Sequence, residues 1–447
     1  MKLDKKQIKN QVFVAIFTLG FFFAANAQKK VLNLNKPDRE QWFTELGFGM
    51  FVHWSVDVQY GYNISHSMRL ASDDYLNRYI NELPKTFNPQ NFNPAKWAKL
   101  AKMTGMKYMV FTTKHHNGFC MWNTKTTNFG IMNTPFKRDI TKEVFDAFRK
   151  EGIAIGVYFS PDDFWFLHKQ GKPVTRNHPS ALASQNPELN DFAKTQLREL
   201  LTRYGQIDIL FLDGEDQYGK TELAKVGWEI NPDIVVTRGA METPEQELPK
   251  SAIPSPWEAC YTSTQSWNFR PTNEVYKTAA EVILKWVEIK AKGGNLLLNV
   301  GPDAEGEIAP KEEGILIEVG SWWFINHELF EKTKPFKKSQ SDNGCIFLQS
   351  HNEKDLYIIV PGYVKPNTWH ILEIDGLKAG KNAKVSLLGQ GIYTNEKKLE
   401  DSKRMALKNT DKGFAIEYFF LQKLYNNYLV DNKWNNPIVL KITDYKD

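Results

Sequence analysis

The chain has 447 residues, room for two or three domains at roughly 100–200 residues each. Its 42% hydrophobic and 24% charged content, with 13 Trp, 17 Tyr and 29 Phe, excludes a disordered chain, which needs low hydrophobicity and few aromatics. The net charge is +5, but residues 1–27 hold four lysines against one aspartate, so the remainder carries +2. Such a balance supplies no clustered basic surface, and no nucleic-acid partner is expected.

The first element is a targeting signal. A lysine-rich start precedes the apolar run 12–23, and Ala25-Asn26-Ala27 supplies small residues at a cleavage position. This pattern predicts a secretory signal peptide over 1–27 and export to a periplasmic or extracellular location. The run is too short to span a bilayer comfortably, and no second long apolar segment follows, so no membrane span is expected in the mature chain. Cys120, Cys260 and Cys345 are too few and scattered for a disulfide framework, so the fold must rely on its core.

Strand-like apolar runs follow at 49–54, 108–114, 153–160, 208–213, 234–238, 257–262 and 295–300. Several are nearly continuous, as expected of parallel strands covered on both faces. Helical patterns fall between them at 94–103, 142–150, 189–204, 221–229 and 274–292, with a last amphipathic stretch at 311–332. Asn93-Pro94 reads as an N-cap with proline at the first helical position, and Gly205 and Gly293 read as helix stops. The alternation predicts an α/β fold of the (β/α)8-like barrel type over residues 28–335. A doubly wound sheet would show a glycine-rich loop after its first strand, where this chain has Ser55-Val56-Asp57-Val58. The eighth strand is not legible, so the barrel is expected to be irregular. Short β-rich runs at 344–349, 356–360, 370–374, 384–388, 414–419 and 438–442 then predict a C-terminal antiparallel β-sandwich over 336–447, read as an accessory domain.

In barrel enzymes the working residues sit at the C-terminal ends of strands. Here those ends bring His53-Trp54, then Lys114-His115-His116-Asn117-Gly118-Phe119 with Trp122 close behind, and Asp213-Gly214-Glu215. Glu245 and Glu258 come from the loops after the fifth strand and around the sixth. Any one of these has an ordinary reading: a lone histidine is a hydrogen-bonded structural residue, and Asp-Gly is a turn pair. Together on one rim they form a polar cup with aromatic walls, suited to a pyranose and to a carboxylate pair at its anomeric carbon. A metal site is the rival for the histidines. Adjacent His115 and His116 point apart on an extended backbone unless the chain turns, and no His-Glu-x-x-His spacing occurs. No Gly-x-Ser-x-Gly elbow supports a nucleophilic serine.

At these residues the chain resembles the retaining α-L-fucosidases of glycoside hydrolase family 29, over roughly residues 42–323. The resemblance rests on Trp42-Phe43, Phe48-Gly49-Met50-Phe51-Val52-His53-Trp54, the His115-His116 run, Leu212-Asp213-Gly214-Glu215, Trp257-Glu258-Ala259-Cys260 and Ser266-Trp267. The long run Lys292-Gly293-Gly294-Asn295-Leu296-Leu297-Leu298-Asn299-Val300-Gly301-Pro302 completes it. It implies a barrel followed by a β-sandwich, and release of α-L-fucose from fucosylated glycans through a covalent glycosyl-aspartate. Asp213 matches the nucleophile, and His53, Trp54, His115 and His116 match sugar-holding positions. Glu245, in Thr243-Pro244-Glu245-Gln246, matches the acid/base, with Glu258 as the alternative. His66, Trp122 and Trp267 complete the expected substrate-binding set, and chemistry on two carboxyl groups implies no cofactor.

The chain departs from the family pattern at Ile64-Ser65-His66-Ser67-Met68-Arg69, where many members carry a Glu-Trp segment. It also has Asn268-Phe269 after Ser-Trp, and Asn117 where Asp is common. Hydrolysis of a related L-sugar such as α-L-galactose, and catalytically silent sugar binding, are the alternatives these departures leave open.

Overall fold

The computed structural model describes residues 32–395, 398–421 and 435–446. The predicted signal peptide over 1–27 lies outside the described residues.

Seven parallel strands form the catalytic sheet: β1 Phe48–Val52, β2 Tyr108–Lys114, β3 Ala154–Phe159, β4 Ile209–Leu212, β5 Val235–Val236, β6 Glu258–Thr262 and β7 Asn295–Val300. Their spatial order is β5-β4-β3-β2-β1-β7-β6, so the sheet curls from the two-residue β5 round to β6. All seven were legible because both of their faces are buried, which demands apolar runs. Inward-facing Phe51, Tyr108, Val110, Tyr158, Ile209, Phe211, Val235, Cys260 and Leu297 fill the barrel. The helix Pro37–Leu46 brings Phe43 into the same cluster, its ring 5.5 Å from that of Tyr108. Gly49 leaves room for Tyr108, whose ring would stand 2.5 Å from a β-carbon there.

The illegible eighth element lies between β5 and β6. Residues 242–246 run parallel to β6 through two isolated bridges, Glu242 with Trp257 and Glu245 with Cys260. The Pro244 carbonyl accepts from Cys260 N at 3.0 Å, and Gln246 N donates to the Cys260 carbonyl at 3.0 Å. A proline-containing segment cannot build a full ladder, so closure here is irregular and leaves no strand pattern to read.

The outer helices start where their caps dictate. Asn93 accepts from Lys96 N at 3.3 Å and Pro94 opens the helix Pro94–Met103. The helix expected from residue 274 begins later, at Ala279, because Thr278 and Glu281 form a reciprocal capping box. The stretch expected as one helix over 311–332 is two, Pro310–Asn326 and Glu328–Glu331. Helices Asp73–Thr86 and Phe164–Lys169 were not anticipated; each is an excursion on the loops that follow β1 and β3.

The C-terminal part contains β8 Thr333–Gln340, β9 Ile346–Ser350, β10 Asp355–Val360, β11 Thr368–Asp375, β12 Lys378–Leu387, β13 Ala406–Asn409, β14 Gly413–Phe420 and β15 Ile438–Lys446. They form antiparallel sheets of order β12-β15-β10-β9-β8 and β11-β14-β13. Trp322 Nε1 donates to the Pro437 carbonyl at 2.6 Å, tying the last long helix to the segment before β15.

Candidate active site

A cavity of about 170 Å³ opens at the C-terminal ends of the barrel strands, lined by His53, His66, His115, His116, Asp213, Glu245 and Trp267 among others. At roughly 30 Å³ per water this is a space for a few waters or one small polar ring. A larger surface groove of about 590 Å³ is lined by Lys85, Lys125 and Lys169 and by no carboxylate, so it lacks an acid/base pair.

Asp213 follows β4 and is almost enclosed. Its Oδ2 accepts from Tyr158 Oη at 2.8 Å and lies 3.1 Å from His116 Nε2. Arg238 Nη1 stands 3.7 Å from its Oδ1. Burial opposes ionisation, but His116 and Arg238 outweigh it and hold the carboxyl well below its ordinary range. Asp213 is a carboxylate at neutral pH.

The imidazoles divide by their partners. His116 Nδ1 meets Ser160 Oγ at 2.5 Å and Asp162 Oδ1 at 3.2 Å, while Nε2 faces Asp213. Desolvation pulls its pKa down, but the two carboxylates raise it to about 9, so it is a cation at neutral pH. Burial holds His53 neutral, lowered to about 4, and its Nδ1 pairs with Asn299 Oδ1 at 2.6 Å. His115 is likewise pushed well down by burial and by neighbouring His116, with Nδ1 2.8 Å from Ser65 Oγ. Ser65 is itself held by Asp57, which accepts from its backbone N–H at 2.7 Å. Desolvation also lowers His66, to about 4. Trp267 forms an aromatic wall, its ring 4.8 Å from that of His53.

The two adjacent histidines do share the cavity. Strand β2 ends at Lys114 and the chain turns, with Gly118 N donating to the His115 carbonyl at 3.0 Å, which leaves the rings 4.2 Å apart. His115, His116 and Asp213 bring ligand-type atoms within 4.8 Å of one another. Both ring nitrogens of His116 already face carboxylates, Nδ1 to Asp162 and Nε2 to Asp213, so an ion here would have to displace the proton that His116 holds toward Asp213.

Glu245 is 39% exposed at the mouth, with Oε2 2.7 Å from Arg238 Nη1. The alternative, Glu258, is not at the cavity. It sits fully buried in the barrel, accepts from Tyr108 Oη at 2.8 Å, and burial raises its pKa to about 7. As the first residue of β6 it lies one inward position below Cys260, which reaches the cavity floor.

Trp54 and Trp122, expected against the sugar, are also elsewhere. Alternation turns His53 inward and Trp54 outward, where it packs on Phe87, Phe92 and Trp97 and donates to the Asp303 carbonyl at 2.8 Å. Beyond the β2 turn, Trp122 is folded against the helix Pro187–Arg203 and donates to Glu199 at 3.1 Å. Conversely Tyr158, Arg176 and Arg238 line the cavity and were not singled out from the sequence. Applying the strand-end rule to β5 would have found Arg238; Tyr158 lies inside an apolar run and gives no such signal.

The family profile for alpha-L-fucosidase matches residues 23–328. The plasma alpha-L-fucosidase of Rattus norvegicus is 30% identical over 369 residues, covering 72% of this chain and 77% of the relative. That of Homo sapiens is 28% identical over 414 residues, covering 81% and 84%. Among solved structures, alpha-L-fucosidase isoenzyme 1 of Paenibacillus thiaminolyticus superposes with TM-score 0.67 at 28% identity, covering 92% of this chain and 99% of that one. A Bacteroides thetaiotaomicron alpha-L-fucosidase, trapped as a covalent intermediate, shares the fold with TM-score 0.70 at 22% identity, covering 92% and 97%. With a barrel rim that gathers a buried carboxylate, a second carboxylate and a wall of imidazoles, and a profile match over most of its length, this chain belongs to the alpha-L-fucosidase family.

Proposed function

We propose that the protein is a retaining exo-glycosidase that releases α-L-fucose from fucosylated glycans by double displacement. The observation that carries this reading is the pair of unlike carboxyl groups on one guanidinium, the enclosed Asp213 and the half-exposed Glu245. Glu245 Oε2 at 2.7 Å and Asp213 Oδ1 at 3.7 Å from the same Arg238 nitrogen lie closer together than the roughly 6.5–9.5 Å that an inverting water requires. Asp213 is the nucleophile: Tyr158 and His116 occupy Oδ2, so Oδ1 attacks the anomeric carbon. Glu245, with access to solvent, protonates the departing oxygen and then takes a proton from the water that cleaves the glycosyl-aspartate. Neutral His53, His66 and His115 bind hydroxyls, and Trp267 covers an apolar sugar face. The relatives' names and the trapped covalent intermediate of the Bacteroides neighbour support this reading.

The chain is further read as exported through its N-terminal segment to a periplasmic or extracellular site, where such glycans occur; among the described residues no helix is long and apolar enough to cross a membrane. Incubation with a chromogenic aryl α-L-fucoside, followed by NMR of the first-formed sugar, tests the activity and its stereochemistry together. Early α-L-fucose is expected. Absence of turnover, or early β-anomer, would overturn the reading.

A further inference from the structure

We propose that Asp162, anchored by Arg176, is a positioning residue for this reaction: it clamps His116 so that a charged imidazole presents a fixed Nε2–H to the nucleophile Asp213. The inference rests on the double-displacement reading and adds the device that keeps the nucleophile ready.

The geometry is a chain of alternating charges. Arg176 Nε stands 2.8 Å from Asp162 Oδ2, Asp162 Oδ1 3.2 Å from His116 Nδ1, and His116 Nε2 3.1 Å from Asp213 Oδ2. Asp162 is fully buried, and Ser160 Oγ donates to its Oδ1 at 2.9 Å. A buried carboxylate is costly unless charges offset it, and here a cation stands beside each oxygen, Arg176 as an ion pair without hydrogen-bond alignment. Arg176 is itself fixed. Its guanidinium lies 4.8 Å from the Tyr218 ring centroid, and Tyr218 Oη donates to its carbonyl at 3.1 Å. Space for it is left by Gly214, the residue after the nucleophile. A β-carbon there would stand 2.1 Å from Arg176 Nη2, and Gly214 has φ +83°. The Asp213-Gly214 pair, ordinary as a turn signal, therefore admits the cation that completes the chain.

The charge of His116 depends on this arrangement because Asp162 and the nucleophile are the carboxylates that chiefly raise it against burial. His115 beside it, His66 from the turn after β1 and His53 from the end of β1 are neutral, and Arg238 from the end of β5 and Arg176 are cations. Tyr158 from β3 donates to Asp213 rather than to His116. Without Asp162, His116 keeps Ser160 Oγ on Nδ1 but loses the carboxylate that holds both of them, and its remaining counter-ion is the carboxylate that must become neutral when it attacks. A cation held independently of Asp213 lets the aspartate leave the glycosyl carbon again with its charge stabilised.

The test compares wild type, Asp162→Asn and Asp162→Glu with α-L-fucosyl fluoride, whose leaving group needs no proton from Glu245. The alkaline limb of kcat/KM then reports His116 rather than the acid/base. For wild type the limb is expected near pH 9. Asp162→Asn is expected to move it down by at least about one pH unit, a tenfold change in the proton equilibrium, and Asp162→Glu to restore part of it. Histidine NMR titration of the intact protein reads the same shift without turnover, and so separates failure of this proposal from failure of the fucosidase reading. Should Asp162→Asn not fold, Arg176→Met is expected to shift the limb and the His116 resonance in the same direction by less. An unmoved limb with a uniform loss of rate, or a wild-type His116 that titrates below pH 7, would overturn the proposal.

Discussion

Arg238 Nη1 touches Glu245 Oε2 at 2.7 Å, and the same nitrogen lies 3.7 Å from Asp213 Oδ1. The cation helps to hold Asp213 ionised and pairs with Glu245, although the first half-reaction needs Glu245 to deliver a proton. The acid/base rests in an ion pair that the bound sugar must loosen. Arg238→Met is expected to raise the Asp213 pKa, moving the acid limb of the kcat/KM profile for an ordinary aryl α-L-fucoside upward by about one unit or more, each unit being about 1.4 kcal/mol. An unshifted acid limb would show that Arg238 does not govern Asp213.

Asp213→Ala is expected to lower kcat by more than about 10⁴-fold, the scale of nucleophile removal in other enzymes, while the protein stays folded. Azide is expected to restore part of the turnover by filling the vacated space as an external nucleophile. Circular dichroism and rate measurements on the same sample check both halves. Activity near wild type would end the assignment of Asp213.

Glu245 and Glu258 should separate cleanly. Removal of the acid/base hurts poor leaving groups most, by about 10²–10⁴-fold, while highly activated aryl fucosides still form the intermediate. Glu245→Ala is expected to show that dependence and rescue by azide. Glu258 touches no cavity and carries the Tyr108 hydroxyl, so Glu258→Ala is expected to destabilise the fold by about 1–3 kcal/mol and to show no leaving-group dependence. Glu258→Gln, which can still accept from Tyr108, is expected to recover most of that stability. Leaving-group dependence in Glu258→Ala would reverse the assignment.

Stability is expected to fall on both sides of a maximum, for opposite reasons. His53 and His66 fold with pKa values lowered to about 4, so between pH 6.5 and 4 the unfolded chain binds more protons and acid destabilises. His116 folds with its pKa raised to about 9, so its stabilisation is complete below its unfolded value and is lost as pH rises through 9. Thermal midpoints across this range, with His53→Asn and His116→Asn as controls, check the two arms. His53→Asn is expected to flatten the acid decline and His116→Asn the alkaline one; a variant that leaves its arm unchanged would refute that attribution.

The seven barrel strands could be read directly from the chain because strands buried on both faces are apolar throughout, and their C-terminal ends pointed to His53, His115, His116 and Asp213. The capped start of Pro94–Met103 was legible for the same reason: a local hydrogen bond dictates it. What only the tertiary structure decided is which strand-end residues share a space. A proline-bearing segment without a strand pattern closes the barrel and delivers Glu245, while a one-residue step along β1 sends Trp54 away from the cavity that His53 enters. The turn after β2 brings together two imidazoles that an extended chain would part. The charges that set the chemistry come from Arg238 at the end of β5 and from Asp162 and Arg176, on loops that no periodicity describes. Periodicity records which face of an element is buried; the state of a carboxylate depends on what lies within a few ångströms of it, and that is a property of the folded chain alone.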